Sequence, residues 1–395
     1  MTKSKLERWH PSQEDDELIF AVCNRFLSKY GKGDGLVSDR EERSAAAISK
    51  WLREERGRED LSREKIYPLF REAVRRNFLH LQPPVENVLA HRLMEHFHLE
   101  NTNREISVVN VTGPETSQYV TSVAADKVLA LIDQVAQEKR RLAKINGTDP
   151  EQTSVHLGMG AGYATMLLAK RLAHRVAQGG ACPRLVLHAI SSGGFFIDEP
   201  HKSPTTYFSY FDDTMSEIEY VALFSETVVH SDEYERVKKN PGLRRCFDRK
   251  CEIDIIVTSL AAAEHSHGLL GQYLGWLTRE GLIDSDVVSH MQQRGWVGDV
   301  QFQPYTNEGE LENVCPVRAV ALFEIDEMVR FAREPNHHLV LIGGPCGECG
   351  ASKTEALRPL LSNERLHLWN HLVTDVRTAR ELLDAPQEPF GRDNA

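Results

Sequence analysis

Residues 155–173, VHLGMGAGYATMLLAKRLA, read as a buried strand, then glycines at 158, 160 and 162, then an amphipathic helix. A loop of this kind presents unpaired backbone N–H groups and the positive end of a helix dipole to an anion. Gly158, Gly160, Ala161, Gly162 and Tyr163 form the candidate cradle, and Thr165 adds a hydroxyl. A tight turn that needs glycine only for close packing is the alternative. A dinucleotide site would require G-x-G-x-x-G and an acid about twenty residues later. Here Tyr163 stands where the last glycine belongs, and no Asp or Glu lies between Glu151 and Asp198. NAD is therefore not expected, and no cofactor is.

A second glycine-rich loop follows another apolar run in HLVLIGGPCGECGASKTEALRPLL, residues 338–361. Gly347-x-x-x-x-Ser352-Lys353-Thr354 differs from a triphosphate-binding loop by serine at the final glycine, the residue that lets backbone wrap the phosphates. Only residues 362–395 come after this segment, too few for the rest of a nucleoside triphosphatase sheet. Lys353 at a helix start can still neutralise a single phosphate.

Working outward, strands and helices alternate. EISVVNV, SVHLGMG, RLVLHAI, EYVALF, IDIIVTSL, AVALF, HHLVLIGG and LVTD read as strands, separated by helical patterns such as VTSVAADKVLALIDQV. That pattern predicts an α/β fold, a mostly parallel sheet covered on both faces. Residues 191–250 have poor periodicity; their aromatic run Tyr207-Phe208-x-Tyr210-Phe211 reads as core or interface.

Ahead of this sheet, periodicity predicts three short helices. Leu18, Ala21, Val22, Phe26 and Leu27 share a face of the first. The second starts at Asp39 or Arg40 and closes at Gly57. The third starts at Ser62 and buries Ile66, Leu69, Phe70, Ala73 and Val74. A strand, FLHLQ, follows, and Pro83-Pro84 ends the unit. Three helices and a β-ribbon are the layout of a winged helix-turn-helix. The boundaries predicted are 1–84 for this DNA-binding domain and 85–395 for a linker helix (86–99) plus an α/β domain.

Charge supports the division. The chain of 395 residues has a net charge of −11, yet residues 1–80 carry 17 Lys and Arg against 15 Asp and Glu. Nucleic-acid binding depends on local charge, so an acidic body does not exclude it. On the third helix Ser62 is the N-cap, Arg63 and Lys65 are base-edge candidates, and Arg71, Arg75 and Arg76 are phosphate contacts. A solvated helix face is the plainer reading of the same charges. No apolar run is long enough to span a membrane. The start lacks a signal peptide and the seven cysteines are scattered, which predicts a reduced, cytoplasmic protein.

LSREKIYPLFREAVRRNFLHL (61–81) resembles the recognition helix and wing of SorC/DeoR-type bacterial transcriptional regulators, and AAAISKWL sits where their supporting helix lies. Pro68 departs from the pattern, standing where that family carries arginine. GMGAGYAT and GGPCGECGASKTEAL resemble the family's two phosphate-binding elements. DIIVTSLAAA, with Ser259 in place of an isoleucine, WVGDVQFQPYTNEG and LWNHLVTDVRTARELL match further segments in order. The resemblance implies a Rossmann-like three-layer α/β effector domain, akin to sugar-phosphate isomerase and CoA-transferase folds. It implies a ligand-responsive regulator, not an enzyme, that binds a double-stranded DNA operator and senses a phosphorylated sugar or related phosphate ester. The phosphate would lie between the Gly158–Thr165 loop and Lys353, with Ser259 nearby and Asp299 taking sugar hydroxyls. A homodimer or homotetramer is expected, because paired half-sites call for paired readers. The alternative is an isomerase-, deaminase- or CoA-transferase-like enzyme with a helical oligomerisation domain, in which Asp299 or Glu264 serves as base. Cys346-x-x-Cys349 is half a zinc or redox motif without a second pair, and His265, His267, His337 and His338 read as loop histidines, so no metal is expected.

Overall fold

The computed structural model describes residues 15–27, 44–76, 78–79, 83–178, 183–192, 199–212, 217–265, 268–311 and 315–384. The chain divides into two compact units, Met1–Gln82 and Pro83–Ala395.

In the first unit, helices α1 (Asp16–Leu27), α2 (Ala45–Arg56) and α3 (Arg63–Arg75) enclose a small core. Ile19, Val22 and Cys23 of α1 meet Ile48 and Leu52 of α2 and Ile66, Leu69 and Ala73 of α3, each set at three- and four-residue spacing. Helix α2 begins at Ala45, later than its periodicity suggested, because the Ser44 hydroxyl accepts the Ala47 N–H at 3.1 Å and fixes the start. Residues 39–43 lie outside the described residues. Gly57 closes α2 in the left-handed conformation, φ 66°. Helix α3 runs through Pro68 unbroken, and the proline removes only one internal N–H. Val74, expected in the core, is 38% exposed, whereas Phe70 packs edge-to-face on Phe26 at 4.9 Å. Phe78 and Leu79 form a bend rather than the predicted strand; its remainder, 80–82, falls outside the described residues.

The second unit is built on a sheet. Its strands are β1 (Glu105–Val109), β2 (Ser154–Met159), β3 (Arg184–Ala189), β4 (Ile218–Val221), β5 (Val228–His230), β6 (Ile255–Ala262), β7 (Gly298–Val300), β8 (Gln303–Tyr305), β9 (Val317–Ala319), β10 (His338–Ile342) and β11 (His371–Asp375). Seven run parallel in the order β1-β11-β10-β6-β2-β3-β4, and the β7–β8 hairpin extends antiparallel from the far end of β6. Strands β5 and β9 form a separate antiparallel pair. Every residue of β10 is buried, so both faces of the sheet are covered. The covering helices include α4 (Asn87–His96), α5 (Thr116–Asn146), α6 (Tyr163–Gln178), α7 (Leu269–Arg279), α8 (Ile325–Arg333), α9 (Thr354–Ser362) and α10 (Val376–Asp384). Asp375 ends β11 and starts α10, its carboxylate accepting the N–H groups of Arg377 at 2.9 Å and Thr378 at 3.1 Å. Among the described residues no helix is long and apolar enough to cross a membrane.

The strand order decides where a ligand fits. From β2 the chain steps outward to β3 and β4; from β6 it steps the opposite way to β10 and β11. The reversal leaves a crevice beyond the carboxyl ends of β2 and β6, the place where open α/β sheets bind ligands.

Candidate functional site

The glycines after β2 have three different jobs. Gly158 is still inside the strand, where a Cβ would lie 2.7 Å from Ile190 Cγ2. It serves strand packing, a correction to its reading as part of the cradle. Gly160 makes room for Gln301, whose Nε2 lies 2.1 Å from where a Cβ would be. Gly162 has φ 122°, a backbone conformation that disfavours any side chain.

Two N–H groups expected to face a ligand are already bonded. Ala161 N–H donates to Gln301 Oε1 at 3.1 Å and Ser191 Oγ at 3.2 Å. Gly162 N–H donates to Lys202 O and to the Tyr207 hydroxyl, both at 3.0 Å. The first internal bond of α6 is Met166 N–H to Gly162 O, which leaves the N–H groups of Tyr163, Ala164 and Thr165 without a helical acceptor. The helix N–H groups without an acceptor therefore begin at Tyr163. Thr165 is fully buried beneath it, with its hydroxyl unpaired, and does not line the cleft.

Gln301 holds this loop. Besides Ala161, its Oε1 accepts Ser191 Oγ–H at 2.6 Å, and its Nε2 donates to Thr258 Oγ1 at 2.5 Å. Gln301 and Phe302 both occupy left-handed backbone, φ 51° and 62°. Such strain costs of the order of 1–3 kcal/mol per residue and persists where surroundings enforce it. Gln301→Ala should lower unfolding free energy by about 2–3 kcal/mol, the usual consequence of unpaired buried partners. Gln301→Gly should lose less, because glycine relieves the backbone. Urea titrations that rank the two variants equally would contradict this.

The opposite wall carries the charges. Asp299, on β7, is 5% exposed. Burial raises its carboxyl to about 7 against the opposing pull of the Lys353 ammonium and the Phe302 N–H. Lys353, just before α9, donates to Leu260 O at 2.7 Å. Burial lowers its pKa, while Cys346, Asp299 and Cys349 work the other way. Ser259 Oγ lies 3.4 Å from where a Gly162 Cβ would be, so it faces the loop. Of the residues singled out in the sequence, Ala161, Gly162, Tyr163, Ser259, Asp299 and Lys353 line one cleft, while Gly158, Gly160 and Thr165 do not.

Residues 199–212 supply what that reading missed. The Lys202 ammonium is buried in the cleft and donates to Glu199 at 2.6 Å and Glu348 at 3.0 Å. Burial opposes its charge, but those hydrogen bonds outweigh it and leave its pKa above the usual value. The aromatic cluster was the available signal, since Tyr207 anchors Gly162. Nothing in the sequence distinguished Lys202.

Two clusters could hold a metal among the described residues. His265, Cys346 and Cys349 offer ligand atoms within 4.8 Å of one another, and His265 and Cys346 line the cleft. His156, His188 and Glu252 form the other, away from the cleft lining; its two imidazoles are hydrogen-bonded at 3.0 Å.

On the first unit, Ser62, Arg63 and Arg71 are exposed, while Lys65 is half-buried with its ammonium on Asp60 O at 2.7 Å. Arg76 is engaged elsewhere: it pairs with Asp16 of α1 and with Glu72 at 2.6 Å, and its side chain is 14% exposed. It joins helices rather than projecting outward. The side chain of Arg75 lies outside the described residues. Tyr67 is 52% exposed and falls four residues from both Arg63 and Arg71, on their helix face. The sequence reading had passed over it.

No protein-family model and no curated protein sequence matches the chain. Solved structures do. The full-length sorbitol operon regulator SorC from Klebsiella pneumoniae superposes with a TM-score of 0.54 at 13% identity, covering 94% of this chain and 100% of that one. A probable sor operon regulator from Shigella flexneri gives 0.53 at 14% identity, covering 75% and 99%. A DeoR family transcriptional regulator from Listeria monocytogenes gives 0.50 at 15%, covering 75% and 98%. At such identities the likeness is one of architecture. The resemblance seen in the sequence holds at that level: this chain has the fold of the SorC/DeoR-type transcriptional regulators.

Proposed function

We propose that the chain is a sugar-responsive, DNA-binding transcriptional regulator, with residues 1–84 reading DNA and residues 85–395 sensing the ligand. The observation that carries this reading is the cleft at the strand-order reversal, lined by a helix N-terminus, the half-buried Lys353 and the buried Asp299. A phosphorylated sugar fits that chemistry. The N–H groups opening α6 and the Lys353 ammonium attract a dianion, and Asp299, ionised above about pH 7, accepts hydroxyls. The protein acts in the cytoplasm as a homodimer or homotetramer. Light scattering should return a multiple of 44.7 kDa.

DNA contact falls to the exposed face of α3. Arg71→Ala should weaken binding to all sequences and reduce the salt slope by about one, as for a phosphate contact. Arg63→Ala should relax preference at one base position, at about 1–3 kcal/mol. Gel shifts on the gene's own upstream region measure both. A complex that is salt-labile and indifferent to sequence would refute the regulator reading.

One observation favours a second reading. A buried carboxyl with a pKa near 7 beside a lysine is a suitable general base. Turnover of a sugar phosphate that vanishes in Asp299→Asn, without specific DNA binding, would identify a sugar-phosphate isomerase- or deaminase-like enzyme.

A further inference from the structure

The geometry points to a zinc site formed by His265, Cys346 and Cys349 at the wall of the cleft, with the fourth coordination position open to the cleft.

Two observations carry it. First, the ligand atoms lie within 4.8 Å of one another. Tetrahedral zinc with Zn–S of about 2.3 Å and Zn–N of about 2.0–2.1 Å needs ligand separations of about 3.5–3.8 Å, so a small rotation of side chains closes the site. Second, the cysteine loop is already wound. Gly350 N–H donates to Cys346 O at 2.9 Å, Cys346 N–H donates to Ala351 O at 2.8 Å, and Gly350 turns the chain at φ 68°. The two thiols, three residues apart, thereby come within hydrogen-bonding reach of each other.

The chemistry selects the metal. Two thiolates exclude magnesium and calcium, and a neutral imidazole with two thiolates is a borderline-soft set that suits zinc. Two thiolates also neutralise the charge of the ion. Glu264 places a carboxylate 3.6 Å from His265 Nε2, a negative charge beside the imidazole. Three protein ligands leave one position unfilled, as in zinc centres that bind water or an exchangeable oxygen. Because His265 and Cys346 both line the cleft, that position meets whatever the cleft admits.

This site does not depend on the proposed function, because its test counts metal on the isolated full-length chain. The reduced protein, incubated with zinc sulfate and desalted, should carry one zinc per chain by elemental analysis. Replacement by cobalt(II) should give intense tetrahedral d–d absorption and a thiolate-to-metal charge-transfer band. Cys346→Ser, Cys349→Ser and His265→Ala should each lose more than about 100-fold in zinc affinity, beyond the 10–100-fold typical of an outer-shell partner. Cys251→Ser, at an exposed cysteine outside the cluster, should retain the metal. If a ligand variant fails to fold, the cobalt spectrum of the unaltered chain still decides. A reduced chain that takes up no zinc, a cobalt spectrum lacking thiolate bands, or undiminished zinc in both cysteine variants would overturn the proposal. So would a Cys346–Cys349 disulfide in the isolated protein whose reduction restores no metal binding.

Discussion

Lys353→Gln should abolish the response of DNA binding to a sugar phosphate while leaving the affinity of the ligand-free protein for DNA unchanged. Before any ligand arrives, the Lys353 ammonium is already engaged. It donates to Leu260 O at 2.7 Å and sits in surroundings that lower its pKa. A phosphate beside it gives a charge-assisted bond worth about 1.5–3 kcal/mol, or roughly 10- to 150-fold in affinity. Glutamine keeps a donor for Leu260 O but loses the charge, so the variant separates the electrostatic role from support of β6. A ligand changes DNA affinity only through its unequal binding to two conformations, typically about 1–3 kcal/mol. Losing the phosphate contact removes a comparable amount. Calorimetry with a sugar phosphate and its unphosphorylated parent reads the difference directly. The variant should bind both equally weakly. If wild-type protein also fails to distinguish them, phosphate recognition at Lys353 is wrong.

The outline of this cleft was legible in the sequence because its parts are local. An apolar run, a glycine loop and an amphipathic helix specify β2 and α6, and a second such run specifies β10 and α9. The α/β class and the parallel sheet followed from the same alternation. Glycine, however, does not announce its purpose. Spacing cannot tell that Gly158 yields to Ile190 and Gly160 to Gln301, because those neighbours come from distant segments. The same holds for bonds to the loop N–H groups: Gln301 is 140 residues from Ala161 and Tyr207 is 45 from Gly162. The short strands β7 and β8 were not read as a hairpin, since three residues each are too few to show alternation. The metal-ligand cluster was half visible as Cys346-x-x-Cys349. His265, the third member, joins through the end of β6, so the sheet brings it there and no local motif records it.

Asp299→Asn should stabilise the protein at pH 8 and give no gain near pH 4. In the folded chain burial raises this carboxyl to about 7, from the 3.8 usual for a solvated aspartate, as in the unfolded chain. Between those values the folded state holds a proton that the unfolded state has released, so unfolding free energy falls as pH rises from about 4 to 7. Above pH 7 both states are ionised and the loss is complete; the separation corresponds to about 4 kcal/mol at most. Asparagine does not titrate and removes that slope. Part of the gain is offset, because Lys353 loses a nearby negative charge and its own pKa drops further. A net increase of about 2–3 kcal/mol at pH 8 is expected, read as a shift in urea midpoint that shrinks to nothing as the pH is lowered to 4. Equal midpoint shifts at both pH values would mean that Asp299 is not strained by its burial. A carboxylate retained at this energetic disadvantage is a feature of binding and catalytic sites, where stability is given up for function. The same substitution should therefore weaken ligand binding under the conditions where it strengthens the fold.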